Sequence, residues 1–149
     1  MGPIMRFLKP TGRAVAGIVL YATSALVMAD VVVVVATASP VKALASNQVA
    51  NIFLGKTNRF PDGSQAIPID QPEGSATRDA FYTRFTGKSP AQLKAHWAKI
   101  IFTGRGQPPD TVANSAEMKK RIASNPDSIG YIDAGDVDGS VRALPVDPS

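Results

Sequence analysis

The residues best suited to chemistry lie at Gly74-Ser75-Ala76-Thr77-Arg78, where a glycine, two hydroxyls and a cation stand at the start of an expected helix. The first turn of a helix presents backbone N–H groups without intrahelical acceptors, and the helix dipole puts partial positive charge there. Ser75, Ala76, Thr77 and Arg78 could therefore hold a small oxyanion. The plainer alternative makes Ser75 an N-cap and Arg78 a solvated charge. Ser39, after the first expected strand, is a second candidate because strand-end loops line ligand crevices in open α/β sheets; its other role is that of a turn residue. Gly104-Arg105-Gly106 could form a backbone nest for an anion, or simply let the chain turn before Pro108-Pro109.

Other chemistry has less support. The sequence holds no cysteine, which excludes disulfides, thiolate metal sites and cysteine nucleophiles. His96 sits in mid-helix beside Trp97 with no Ser–Asp partnership in view, so it is read as a partly exposed helix residue. Asp133, Asp136 and Asp138-Gly139 have an incomplete calcium-loop spacing with no following glutamate, and a tight hairpin turn accounts for them. No carboxylate pair, metal cluster or nucleotide loop marks an enzyme, and no cofactor is implied.

Alternating strands and helices are expected to position these residues. Val31 to Ala36 is a continuous β-branched run that reads as a central strand buried on both faces. Ser46 is expected to cap a short helix burying Val49, Ile52 and Phe53, ended by Gly55. Pro61-Asp62-Gly63 marks a turn, and Ala66 to Ile69 a short strand that Pro68 sends to an edge or deprives of one ladder bond. The helix opening at Gly74-Ser75 should run to about Phe85, bury Ala80, Phe81 and Phe85, and stop at Gly87. Ser89-Pro90-Ala91-Gln92 is a capping box with proline at the first helical position, followed by Leu93 and Trp97 at helical period. Ser115 should cap a helix through Ala123, with Ile129 and Tyr131 in a strand that pairs with Val141 to Leu144 as a hairpin. The expected architecture is one α/β domain with a small mixed sheet of three to five strands flanked by helices.

The first 29 residues read differently. Arg6, Lys9 and Arg13 precede an uncharged stretch from Ala14 to Met28, and Val27-Met28-Ala29 suits a signal peptidase. The reading is a signal peptide over residues 1–29 and one domain over 30–149. An uncleaved anchor is the alternative, since the valine run could extend the apolar stretch. Of 16 basic residues against 12 acidic, three lie in this leader, which leaves 13 against 12 beyond it. The basicity thus belongs mainly to the leader, and no nucleic acid partner is expected.

Three segments carry a resemblance. Gln48 to Lys56, with Ile52-Phe53-Leu54-Gly55-Lys56 at its core, then Ser75-Ala76-Thr77, then Ser128-Ile129-Gly130-Tyr131-Ile132 occur in one order over most of the chain. Together they resemble the phosphate-type ABC transporter periplasmic substrate-binding proteins. The short single-domain members are more similar still, through Pro72-Glu73-Gly74-Ser75, Arg78, Phe81 and Gly104-Arg105-Gly106-Gln107-Pro108-Pro109. The resemblance implies a single lobe of a type 2 periplasmic-binding-protein-like fold, located in the periplasm, binding phosphate or a similar small oxyanion beside an ABC transporter permease or another envelope protein. It also marks a departure: the family's arginine four residues before the serine is Gln71 here, and its glycine is Ala76. That loss removes a bidentate partner for phosphate. A single lobe that binds a protein partner is therefore the competing expectation, and a homodimer could restore a two-walled cleft.

Overall fold

The computed structural model describes Gly17 and residues 30–148; the signal peptide expected over residues 1–29 lies outside them, Gly17 apart. The valine run forms β1 (Val31–Ala36), and β2 (Leu44–Ala45) leads into α1 (Ser46–Phe53). Then come β3 (Ile67–Asp70), α2 (Ala76–Thr86), α3 (Pro90–Phe102), β4 (Asp110–Thr111), α4 (Ser115–Ala123), β5 (Ser128–Asp133), a 3-10 turn (Ala134–Asp136), β6 (Val141–Ala143) and β7 (Val146–Asp147). Five strands make a mixed sheet in the order β4-β3-β5-β1-β6, and β2 pairs with β7 separately.

Alternation along β1 explains the layering. Val31, Val33 and Val35 face one way, with Ile129 and Tyr131 of β5, into a core built with Val49, Ile52 and Phe53 of α1, Phe81 and Tyr82 of α2, and Leu93 and Trp97 of α3. Val34, Ile69, Ile132 and Val141 face the other way, against Met118 and Ile122 of α4. A sheet covered on both faces wants a strand apolar on both, which is what the valine run supplies.

The expected hairpin between the last two long strands does not form. β1 lies between them, antiparallel to β5 from Val31 opposite Asp133 to Val35 opposite Ile129, and antiparallel to β6 with Ala36 opposite Val141. The doubly buried valine strand takes the interior place that a hairpin would have closed. Residues 134–140 form a crossover instead of a tight turn, tied at one end by Ala134 N–H to the Asp30 carbonyl at 2.7 Å and on its way by Lys119 to Asp138 at 2.9 Å.

Several termini shift by one residue. Ala45 and Asn114, in place of Ser46 and Ser115, are the N-caps; Gln48 Oε1 accepts from Ala45 N–H at 2.8 Å, and Asn114 Oδ1 accepts from Glu117 N–H at 3.0 Å. The α2 stripe is rotated from that expected, burying Arg78, Phe81 and Tyr82 while Ala80 and Phe85 are half-buried. β3 is one place in from the edge, between β5 and the two-residue β4. Pro68 is tolerated there because β4 pairs only with Ile69 and Asp70, so no ladder bond is demanded of the missing N–H.

Gly130 lets α4 approach the sheet. A Cβ there would stand 2.5 Å from Met118 Sδ and 3.0 Å from Ile122 Cδ1. Gly130→Val is expected to cost about 1–3 kcal/mol by overpacking this face, read as a lowered urea midpoint; an unchanged midpoint would mean that α4 moves aside freely.

Candidate functional site

The site is assembled where β3 and β5 end and α2 begins. Pro72 to Ser75 is a turn closed by Ser75 N–H to the Pro72 carbonyl at 3.1 Å, with Gly74 at φ 87°. A turn with its third residue in the left-handed region favours glycine, so the backbone itself sets where α2 starts. Ser75 then caps the helix, its Oγ accepting from Arg78 N–H at 3.2 Å while its hydroxyl donates to Gln71 Oε1 at 3.1 Å. Ala76 and Thr77 are the first two helical residues, whose N–H groups have no acceptor inside the helix. The Thr77 hydroxyl donates to the Asp133 carboxylate, 3.1 and 3.2 Å from its two oxygens.

Under this rim lies a buried polar cluster. Asp70, the last residue of β3, is 2% exposed, and its carboxylate accepts from the Tyr82 hydroxyl at 2.6 Å, from the Tyr131 hydroxyl, and from Gln71 N–H at 2.8 Å. Burial, reinforced by the negative charge of Asp70, pushes both tyrosine hydroxyls far above the ordinary tyrosine range. Both stay protonated and both donate. Arg78 Nε stands 3.5 Å from Asp70 Oδ1, and its guanidinium lies over the Tyr82 ring, 5.3 Å from the centroid. Gln71 is buried as well; its Nε2 donates to the Tyr131 carbonyl at 3.2 Å.

Ser75, Ala76, Thr77 and Arg78 are thus brought together, whereas Ser39 is not. It follows the opposite end of β1, about 20 Å away along a six-residue strand. There Ser39 Oγ accepts from Val41 N–H at 3.2 Å and its carbonyl accepts from Arg142 at 3.0 Å, which is the work of a turn residue. Gly104-Arg105-Gly106 is no open nest either: Gly104 N–H and Arg105 N–H donate to the Ile101 and Ile100 carbonyls and so terminate α3. His96 is half-buried, with Nε2 2.8 Å from the Leu54 carbonyl. Asp133 holds Thr77, while Asp138 binds Lys119 and Ser140, and among the described residues no group of three or more His, Cys, Asp or Glu side chains could hold a metal.

Asp70, Tyr82 and Tyr131 were not among the expected site residues. A signal for Asp70 does exist, since a carboxylate closing an Ile-Pro-Ile strand in a doubly covered sheet must find partners. Nothing local names the two tyrosines, which come from a helix and from a strand 61 residues away.

No protein-family model matches the chain, and no curated protein does. Solved structures do match. An ABC-type phosphate transport receptor from Vibrio cholerae aligns with a TM-score of 0.62 at 22% identity, over 78% of this chain and 46% of its own. A phosphate ABC transporter substrate-binding protein with bound phosphate from Clostridium perfringens aligns with a TM-score of 0.62 at 26% identity, over 78% and 44%. PstS from Borrelia burgdorferi aligns with a TM-score of 0.61 at 14% identity, over 78% and 47%. The chain has the fold of the phosphate ABC transporter substrate-binding proteins. It spans less than half the length of each of these neighbours. The expected single-lobe periplasmic-binding-protein-like architecture, a small mixed sheet flanked by helices, is the one observed. Among the described residues no helix is long and apolar enough to cross a membrane.

Proposed function

We propose that this chain is an exported solute-binding lobe that takes phosphate or a similar small oxyanion at the N-terminus of α2 and serves an ABC transport system in the periplasm. The observation that carries this reading is the position of Ser75 to Thr77. They form a half-open helix start just beyond the carboxyl ends of the parallel strands β3 and β5, where α/β sheets of this kind bind ligands. The names of the solved neighbours, one of them with bound phosphate, support the choice of ligand. The role is binding and delivery, not catalysis.

The test is calorimetric titration of the full chain with inorganic phosphate, and with sulfate for comparison, at low salt. Saturable phosphate binding is expected, weakened about tenfold in Ser75→Ala, since the Ser75 hydroxyl, turned from Gln71 Oε1 to the anion, supplies a charge-assisted hydrogen bond of roughly 1.5–3 kcal/mol. The same variant should lose about 1 kcal/mol of stability with its cap, so its folding is measured alongside. No heat with either anion would sink the reading.

A second reading, a lobe that docks a protein partner, has its own observation. At the end of α3, Ile101 is 55% exposed and Phe102 92% exposed. Co-purification of a defined envelope protein, lost in Phe102→Ser, is what that reading requires.

A further inference from the structure

Arg78 differs from the other described arginines in what its guanidinium lacks. Arg59, Arg84, Arg121 and Arg142 each donate at least one hydrogen bond, and Arg105 is exposed. The Arg78 side chain is only 10% exposed and donates none to any described residue. Its Nε is sealed from solvent with no hydrogen-bond partner; the 3.5 Å approach to Asp70 is a charge contact only. A guanidinium carries five N–H donors, and burying them without acceptors is costly.

The direction of the side chain says where the acceptor belongs. Helical side chains lean toward the helix N-terminus, and Arg78 is the third residue of α2, so it runs back along the first turn toward Asp70. Asp70 meets it at Nε. The two Nη groups are not among the sealed atoms that lack a partner and donate to no described residue, so they reach solvent, from a side chain that starts on the first turn of α2; Ser75 Oγ is tied to the Arg78 backbone.

We infer that Arg78 is a ligand-binding residue whose Nη pair takes two oxygens of a tetrahedral oxyanion seated on the α2 N-terminus. Asp70, Tyr82 and Tyr131 are positioning residues: the carboxylate fixes Nε, and the two hydroxyls fix the carboxylate. A planar fork matches an oxygen pair as an ammonium cannot. The inference rests on the function proposed above and adds to it the group that grips the anion.

Inorganic phosphate is titrated into the full chain carrying ¹⁵N-labelled arginine, and by calorimetry into Arg78→Lys and Ser75→Ala. The Arg78 side-chain resonances of the wild type should shift on saturation, and Arg78→Lys should bind at least tenfold more weakly while keeping its charge against Asp70. The spectrum needs no variant, so a poorly folded Arg78→Lys leaves the test intact. Phosphate binding that Ser75→Ala weakens, with silent Arg78 resonances, overturns the role of Arg78 and spares the site. Absence of phosphate binding to the wild type overturns both.

Discussion

Asp70→Ala is expected to destabilise the fold by about 3–5 kcal/mol, enough to leave a domain of this size marginal. Removing the carboxylate strands three groups at once: the Arg78 guanidinium, which pairs with no other carboxylate among the described residues, and the hydroxyls of Tyr82 and Tyr131. Breaking a buried pair costs far more than the pair contributes, because what remains is an uncompensated charge. Tyr82→Phe, by contrast, removes one donor to the carboxylate and leaves the others, and should cost about 1.5–3 kcal/mol. Urea unfolding of the two variants separates the cases. If Asp70→Ala costs no more than Tyr82→Phe, the carboxylate is not the hub of the cluster and Arg78 must be held by something else.

The contrast between what was legible and what was not follows from the range of each interaction. The valine run declares a doubly buried strand by itself, and Ser89-Pro90-Ala91-Gln92 declares a helix start, since Ser89 Oγ accepts from Gln92 N–H at 3.2 Å as a capping box requires. Ser75 to Arg78 could be read the same way, because a cap is a contact over three residues. The pairing order could not. A strand such as β5 has two edges, and sequence proximity favours a hairpin with β6; only the global demand to bury β1 on both faces overrides it. The polar cluster is equally non-local. Gln71 is read from sequence as a missing cation, yet in the fold it bridges the Tyr131 carbonyl and the Ser75 hydroxyl. Arg78 is read from sequence as an anion-site residue or else a solvated charge, and its ion pair with Asp70 is in neither reading, because nothing nearby in sequence reports that β3 ends beneath it.

The aromatic core beneath the site should be the other point of greatest sensitivity, with Phe81→Ala costing about 3–5 kcal/mol. Phe81 is fully buried; its ring stacks on Tyr131 at 4.0 Å between centroids with the planes 5° apart, and meets Phe53 edge-on at 4.7 Å. Tyr82 lies edge-on at 5.2 Å. Truncation removes the transfer free energy of the ring, opens a cavity, and forfeits aromatic contacts of about 0.5–1.5 kcal/mol each. Phe81→Leu, which keeps most of the volume, should cost clearly less. The consequence extends to the ligand, because the ring that Phe81 supports carries one of the two hydroxyls holding Asp70. Phosphate binding to the folded fraction of Phe81→Leu is therefore expected to weaken a few-fold although residue 81 touches no ligand. A loss of stability with unchanged affinity would show that the tyrosine hydroxyls keep Asp70 and Arg78 in place without the stack, and that the core and the rim of this lobe are energetically separate.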